Sequence, residues 1–387
     1  MRRLVAAGLI GIVGLGGSMT AQVQRFAGAS ALPFSAATKA DGLVYASGTI
    51  VAEGDIRAQT KAVLENLDAT LKKAGSSLAN AASVQVYIKN AADFAAMNEV
   101  YRTFWKADPP ARTTIVADLV VTGGLVEMSV IAVPTGGERK VIHPASWMKS
   151  PNPYSYGIKS GTTLFMAGLV SRNGKDNSNV EGTMAVQTKT VFDNGVEILK
   201  EAGMTLDNVV SAKVFITDNA KFQEMNEVYR TYFTKDPPAR ATVVSPLMGP
   251  ANLVEIAMTA VSGAKQTFAT PAADGTPGKP SPLLSSAVKV GKRLYLSGML
   301  GNTATNATDI EAQTTEALAR IGRTLTAAGY SWADVVDGVV YITDVANFGG
   351  MNQGYQSVIK DLPARATVRT GLVSAGGLVE IMFVAAK

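Results

Sequence analysis

The chain of 387 residues contains no cysteine and one histidine, His143. Disulfides, thiolate nucleophiles and cysteine-based zinc sites are thereby excluded, as are three-histidine metal centres. Chemistry repeated along the chain cannot rest on imidazole either, and His143, at a junction between repeats, reads as a surface or linker residue. Aromatic residues make up only 7% and form no basic–aromatic platform of the kind single strands stack on. Charge is also low: 36 Lys and Arg against 31 Asp and Glu leave +5 with no basic block, so nucleic acid is not an expected partner. No glycine-rich phosphate loop, nucleophile elbow or His-Glu-x-x-His pattern is present.

An apolar share of 47% is enough to bury real cores. One apolar run stands apart. Arg2 and Arg3 precede an uncharged stretch, residues 4–17, and then small residues up to Ala21. That pattern reads as a secretory signal peptide cleaved near Ala21, with the mature chain periplasmic or secreted and free of the membrane. A retained anchor or a buried helix are the alternatives, and the five glycines of the run argue against the helix.

The rest of the sequence repeats. Residues 97–116 read MNEVYRTFWKADPPARTTIV and residues 225–244 read MNEVYRTYFTKDPPARATVV, identical at fourteen of twenty positions. A third, more diverged copy spans 351–368. The arginine of each Pro-Ala-Arg falls at 112, 240 and 365, and each is followed by Leu-Val-Glu, ending at Glu127, Glu255 and Glu380. A period of 128 and then 125 residues is a whole domain rather than a solenoid unit. The expected division is a signal peptide at 1–21, modules at 22–135, 136–262 and 283–387, and a Pro/Gly-rich linker at 263–282.

Within one copy, periodicity predicts a strand near 43–51, a helix near 55–74 closed by Gly75, a strand near 82–88, a helix near 92–105 and strands near 113–119 and 125–133. The fold class is α/β (α+β), a mixed sheet with two helices on one face. The last strand is apolar on both faces, with Val126, Met128, Val130 and Ala132 on one and Ile131 and Val133 on the other. A sheet covered by helices on one side must bury the other elsewhere. Three modules in one chain therefore predict a closed, roughly three-fold ring, sheets inward, equivalent to a fused trimer and self-contained as a monomer.

Two polar residues recur in apolar surroundings. Arg112, Arg240 and Arg365 cannot act as bases and suit the capture of a carboxylate or phosphate, or else a structural ion pair. Glu127, Glu255 and Glu380 sit mid-strand, where a carboxylate is costly unless paired or protonated. They suit proton transfer and water orientation, or else a buried bond across the sheet. Asn98, Asn226 and Asn352 recur on the second helix of each module, where asparagine is a poor helix former, so the amide either lines a site or ties helix to loop. The pairs Phe104-Trp105 and Tyr232-Phe233 read as core.

These motifs together, with Met-Asn-x-x-Tyr on the helix and Ser-Gly after the first long strand, resemble the RidA/YjgF family of reactive imine/enamine deaminases, also labelled endoribonuclease L-PSP. The resemblance covers all three copies. It implies chorismate-mutase-like modules assembled as a trimer with sites between subunits. It implies a substrate carboxylate held by Arg112, Arg240 or Arg365, a hydrolytic water positioned by Glu127, Glu255 or Glu380, and a cleft lined by Asn98, Asn226 or Asn352. The family tyrosine near the module start is matched by Tyr154, with Phe34 and Leu283 at the equivalent places. The serine is matched by Ser47 and Ser297 but is Ala167 in the second copy, and the family's frequent cysteine is Thr114, Thr242 and Thr367. No copy holds the full set, which predicts unequal clefts. The implied reaction is hydrolysis of 2-imino or 2-enamino acids to 2-keto acids and ammonia, with no cofactor or metal. A non-catalytic carboxylate-binding protein is the alternative, and an endoribonuclease a weaker one.

Overall fold

The computed structural model describes residues 23–28 and 32–387. The expected signal peptide at 1–21 lies outside the described residues. Each module carries two α-helices on one face of a mixed sheet: α1 (Ile56–Lys73) and α2 (Phe94–Phe104), α3 (Met184–Glu201) and α4 (Phe222–Tyr232), α5 (Ile310–Ala327) and α6 (Phe348–Val358). In the first module the strands run Gln24–Phe26, Ala37–Ala40, Leu43–Ile50, Val126–Ala132, Ala81–Ile88, Ala111–Val116 across the sheet. All neighbours are antiparallel except the last two, whose parallel pairing requires the α2 crossover.

The long helices start and stop for local reasons. Asp55, Thr183 and Asp309 cap them by accepting from the N–H three residues on. Beyond the other end Gly75, Gly203 and Gly329 take positive φ of 77°, 71° and 79°, where a Cβ would be strained. The apolar stripe of α1, with Val63, Leu64, Leu67 and Leu71 fully buried, packs on Val126, Met128, Val130 and Ala132. Each such side chain contributes roughly 1.5–3 kcal/mol by leaving water.

The other sheet face meets the neighbouring modules. Tyr87, Ile115 and Leu119 of the first, Phe215, Val243 and Leu247 of the second and Tyr341, Val368 and Met382 of the third form one cluster on the axis. The ring with sheets inward is therefore present, and backbone pairing closes it. Asp118–Leu119 of the first module adds to strand Ala364–Arg369 of the third. Gly371–Leu372 of the third adds to Ala239–Val244 of the second. Leu247 of the second bridges Ile115 of the first, and Val116 N donates to Pro246 O at 3.1 Å. Away from this cluster the axis is polar and unlike between copies: Lys213 and Asp337 line a cavity of about 70 Å³ with Ser83, Gln85 and Ser211.

One sequence expectation needs correcting. The segment read as linker, 263–282, contains strand Lys265–Phe268, which pairs with Ala287–Val290 as the edge of the third sheet. Its proline and glycine content belongs to the stretch that follows, and the four strand residues are too few to show a period.

Candidate functional site

The register of the sheets decides where the recurrent polar residues point. Glu127 lies opposite Tyr87, Glu255 opposite Phe215 and Glu380 opposite Tyr341, so each glutamate shares the inward face with an axial aromatic. That face abuts the next module's arginine strand. Thr114 N of the first module donates to Glu255 Oε1 of the second at 3.3 Å. The Thr367 and Thr242 N–H groups stand in the same relation to Glu127 and Glu380 and pull their pKa downward. Three clefts result, each built from two modules: Arg112 with Glu255, Arg240 with Glu380, and Arg365 with Glu127.

A glycine makes room for each carboxyl. A Cβ on Gly48, Gly168 or Gly298 would collide with the Oε1 of Glu127, Glu255 or Glu380. All three glutamates are buried. Burial pushes each carboxyl up to about 8, against the pull of the backbone N–H bond and of the facing arginine. These groups hold their proton at neutral pH.

The arginines are equally deep, at 4%, 3% and 2% exposure. Burial depresses each guanidinium's pKa, yet arginine stays protonated. Each guanidinium lies 4.6–4.7 Å above the ring of Tyr101, Tyr229 or Tyr355 and within 6.0 Å of Phe94, Phe222 or Phe348. Among the described residues none of the three forms an ion pair within 4.0 Å. Among those residues Arg112 Nη1, Arg240 Nε and Nη1, and Arg365 Nε and Nη1 are buried and find no acceptor. An unpaired buried charged donor costs more than the ~1–3 kcal/mol of a neutral one, and an anion is the chemistry that would answer it.

The clefts are unequal. Around Arg365 lies a cavity of about 380 Å³ whose walls include Phe34, Ile50, Val121 and Phe348. Around Arg112 it is about 120 Å³ and relatively more polar, with Asn152, Tyr154, Arg172 and Asn252 among its walls. The asparagines differ too. Asn352 Oδ1 accepts from Arg365 Nη2 at 2.8 Å, Asn98 Nδ2 donates to Asn152 Oδ1 at 3.4 Å, and among the described residues the amide of Asn226 has no partner.

Two readings of the sequence change. Ser47 and Ser297 do not present free hydroxyls: each donates to the carbonyl of Ser35 or Ser285 and accepts from the backbone N–H of Arg365 or Arg240 at 2.8 Å. They lock the arginine strand to its neighbour. And the counterpart of Tyr154 in the third module is Leu284, not Leu283. Ser35, Ser155 and Ser285 make matching bonds to Pro363, Pro110 and Pro238, which fixes the register one residue later than the preceding prolines suggest. Tyr154 does enter the cleft of Arg112, together with Glu255.

Several working residues were missed. The aromatic platform, seven residues apart on one helix face in every copy, was visible as a spacing. So was the Gln-Thr pair of each long helix. Gln59, Gln187 and Gln313 are buried and accept from the N–H of Leu125, Leu253 and Leu378, fixing the entry to each glutamate strand.

A family model described as Endoribonuclease L-PSP matches residues 25–134, 145–262 and 279–387. The chain is 41% identical over 115 residues to a RutC family protein of Sulfurisphaera tokodaii, covering 30% of this chain and 92% of that protein. It is 34% identical over 125 residues to the 2-iminobutanoate/2-iminopropanoate deaminase of Mus musculus, covering 32% and 93%. A crystal structure of chorismatase aligns at 15% identity and a TM-score of 0.51 over 79% of this chain and 93% of that one, a likeness of fold alone.

Proposed function

Because the chain belongs to the RidA/YjgF (endoribonuclease L-PSP) family as three tandem modules, we propose that it hydrolyses 2-imino and 2-enamino acids to 2-keto acids and ammonia in the clefts between modules. The observation that carries this reading is a buried guanidinium with unanswered donors across a cleft from a buried carboxyl of the next module, which burial biases toward its protonated form. Arg112, Arg240 or Arg365 takes the substrate carboxylate through its free donors, and the tyrosine beneath holds the guanidinium plane.

With the carboxylate fixed, the imine carbon falls toward the glutamate. The glutamic acid gives its proton to the imine nitrogen as water adds to the carbon, and the resulting carboxylate takes back a proton from that water. The carbinolamine then loses ammonia by a proton shift to nitrogen, leaving the keto group. An acid poised near 8 suits both transfers at neutral pH. Positioning in a small desolvated cleft supplies the remaining advantage over free water.

The reading includes export of the mature chain, checked by N-terminal sequencing of protein recovered outside the cytoplasm. The decisive assay follows loss of imines generated in situ by an amino-acid oxidase. The wild-type protein is expected to accelerate clearance, and the triple Arg112→Ala, Arg240→Ala, Arg365→Ala protein is not. Equal clearance by both would refute the enzyme. Saturable keto-acid binding without turnover would instead support the carboxylate-binding alternative.

A further inference from the structure

The clefts differ in charge as well as size, and the difference is built by one module. Between the cleft glycine and the cap of the long helix the chain runs through residues 49–54, 169–182 and 299–308 in the three copies, longest in the second. The second module's excursion is an ordered hairpin. Arg172 bridges Asn179, Asn173 N donates to Ser178 O at 2.9 Å, and Val180 N donates to Ser171 O at 2.9 Å. Asn194 Nδ2 holds the Arg172 carbonyl at 2.6 Å, and Met148 N ties the turn down through Gly174 O at 2.9 Å.

This hairpin places Arg172 in the wall of the same 120 Å³ cavity as Arg112. The residues at the same distance past the glycine in the other modules are Ala52 and Asn302. Arg172 Nη1 donates to Asn177 O at 3.2 Å, and among the described residues no carboxylate within 4.0 Å neutralises it. Arg112 and Arg172 thus both line one small cavity and both act on the Tyr154 hydroxyl within it, and its other ionisable lining groups, Tyr154 and Glu255, are held toward their neutral forms by burial. A monoanion answers one cation and leaves the other unmet, whereas a short dianion answers both. Among the described residues, the ionisable groups lining the Arg365 cleft are Arg365 and Glu127, and the rest of its lining is uncharged and mostly apolar.

We propose that the cleft between the first and second modules is a dicarboxylate site, in which Arg112 holds the carboxylate next to the reacting carbon and Arg172 holds the distal one. The substrate class is 2-imino, and as product 2-keto, diacids with the short carbon skeleton of aspartate or glutamate. This deepens the deaminase reading and rests on it for turnover, but not for binding.

The test isolates the cleft in the full chain carrying Arg240→Ala and Arg365→Ala, and titrates it calorimetrically with 2-oxoglutarate and with 2-oxobutanoate. The diacid is expected to bind about tenfold or more tightly, the worth of one further charge-assisted contact. Adding Arg172→Gln should erase most of that preference without lowering the melting temperature enough to unfold the protein at the assay temperature. Equal or tighter binding of 2-oxobutanoate in the Arg240→Ala, Arg365→Ala protein would overturn the proposal, whether or not the Arg172 variant folds. If the diacid preference holds while no protein clears imine from glutamate or 2-aminobutyrate, the deaminase reading falls and the dicarboxylate site stands.

Discussion

Replacing Gly168 by alanine tests the contact between glycine and glutamate that recurs in all three clefts. The new Cβ would lie 2.8 Å from Glu255 Cδ, nearer still to its Oε1, and 3.0 Å from Thr113 Cγ2. Ordinary contact begins near 3.4 Å, so the carboxyl must shift by more than half an ångström. It is held by Thr114 N at 3.3 Å, and such a shift breaks that bond. Stranding the buried N–H costs ~1–3 kcal/mol and the forced displacement a further ~1–3 kcal/mol, for a total of about 2–6 kcal/mol. Urea unfolding followed by tryptophan fluorescence measures the loss.

The double variant Gly168→Ala, Glu255→Ala supplies the control. Once the carboxyl is gone, only the Thr113 methyl needs to give by a few tenths of an ångström. The two costs should therefore fall short of additivity by about 1–3 kcal/mol. A loss below ~0.5 kcal/mol for Gly168→Ala, or simple additivity in the pair, would refute the reasoning.

The glutamates also set a pH dependence. Their carboxyls rise from 4.5 to about 8 on folding, so the folded protein binds more protons in that window. The stabilising share is whole below 4.5 and lost as pH climbs through about 8. Urea midpoints should fall across this range, and fall less in the triple Glu→Gln protein; identical profiles would sink the assignment. Tyr355→Leu removes the ring under Arg365 and should weaken keto-acid binding in that cleft by ~0.5–2 kcal/mol, read by calorimetry in a protein carrying Arg112→Ala and Arg240→Ala. An unchanged affinity would show the platform to be idle. Ser297→Ala strands the Arg240 N–H and should cost ~1–3 kcal/mol in unfolding, with no effect expected if the bond at 2.8 Å does not form in solution.

Much of the ring was legible because its causes are compositional. Val126, Met128 and Val130 needed helices on one face, and Ile131 and Val133 needed cover on the other, so a fused trimer followed from burial alone. The recurrent Arg and Glu were visible as polar residues in apolar strands. What escaped depends on register and on insertions. Leu283 and Leu284 are indistinguishable until a backbone bond aligns Ser285 with Ser35 and Ser155. Ser47 and Ser297 carry hydroxyls that serve a cleft or a strand equally well on paper. Arg172 sits where the copies differ in length, and the hairpin that aims it has no counterpart in the first module. Tyr101 and its equivalents were seen as a motif, but a helix periodicity does not say that a guanidinium rests on the ring.

The cyclic pairing of arginine strand with glutamate strand has a consequence for how such a chain changes over time. The second module supplies Glu255 to one cleft and Arg240 to another, so no module owns a site and none can drift alone. A change in how one copy packs is felt in two clefts, although a single side chain serves only one. Fusion offsets this constraint. Where a homotrimer must repeat every change at all three sites, a single chain can write a different residue into each, as it has with Phe34, Tyr154 and Leu284. It also holds the clefts together at any dilution, because each partner is tethered rather than recruited.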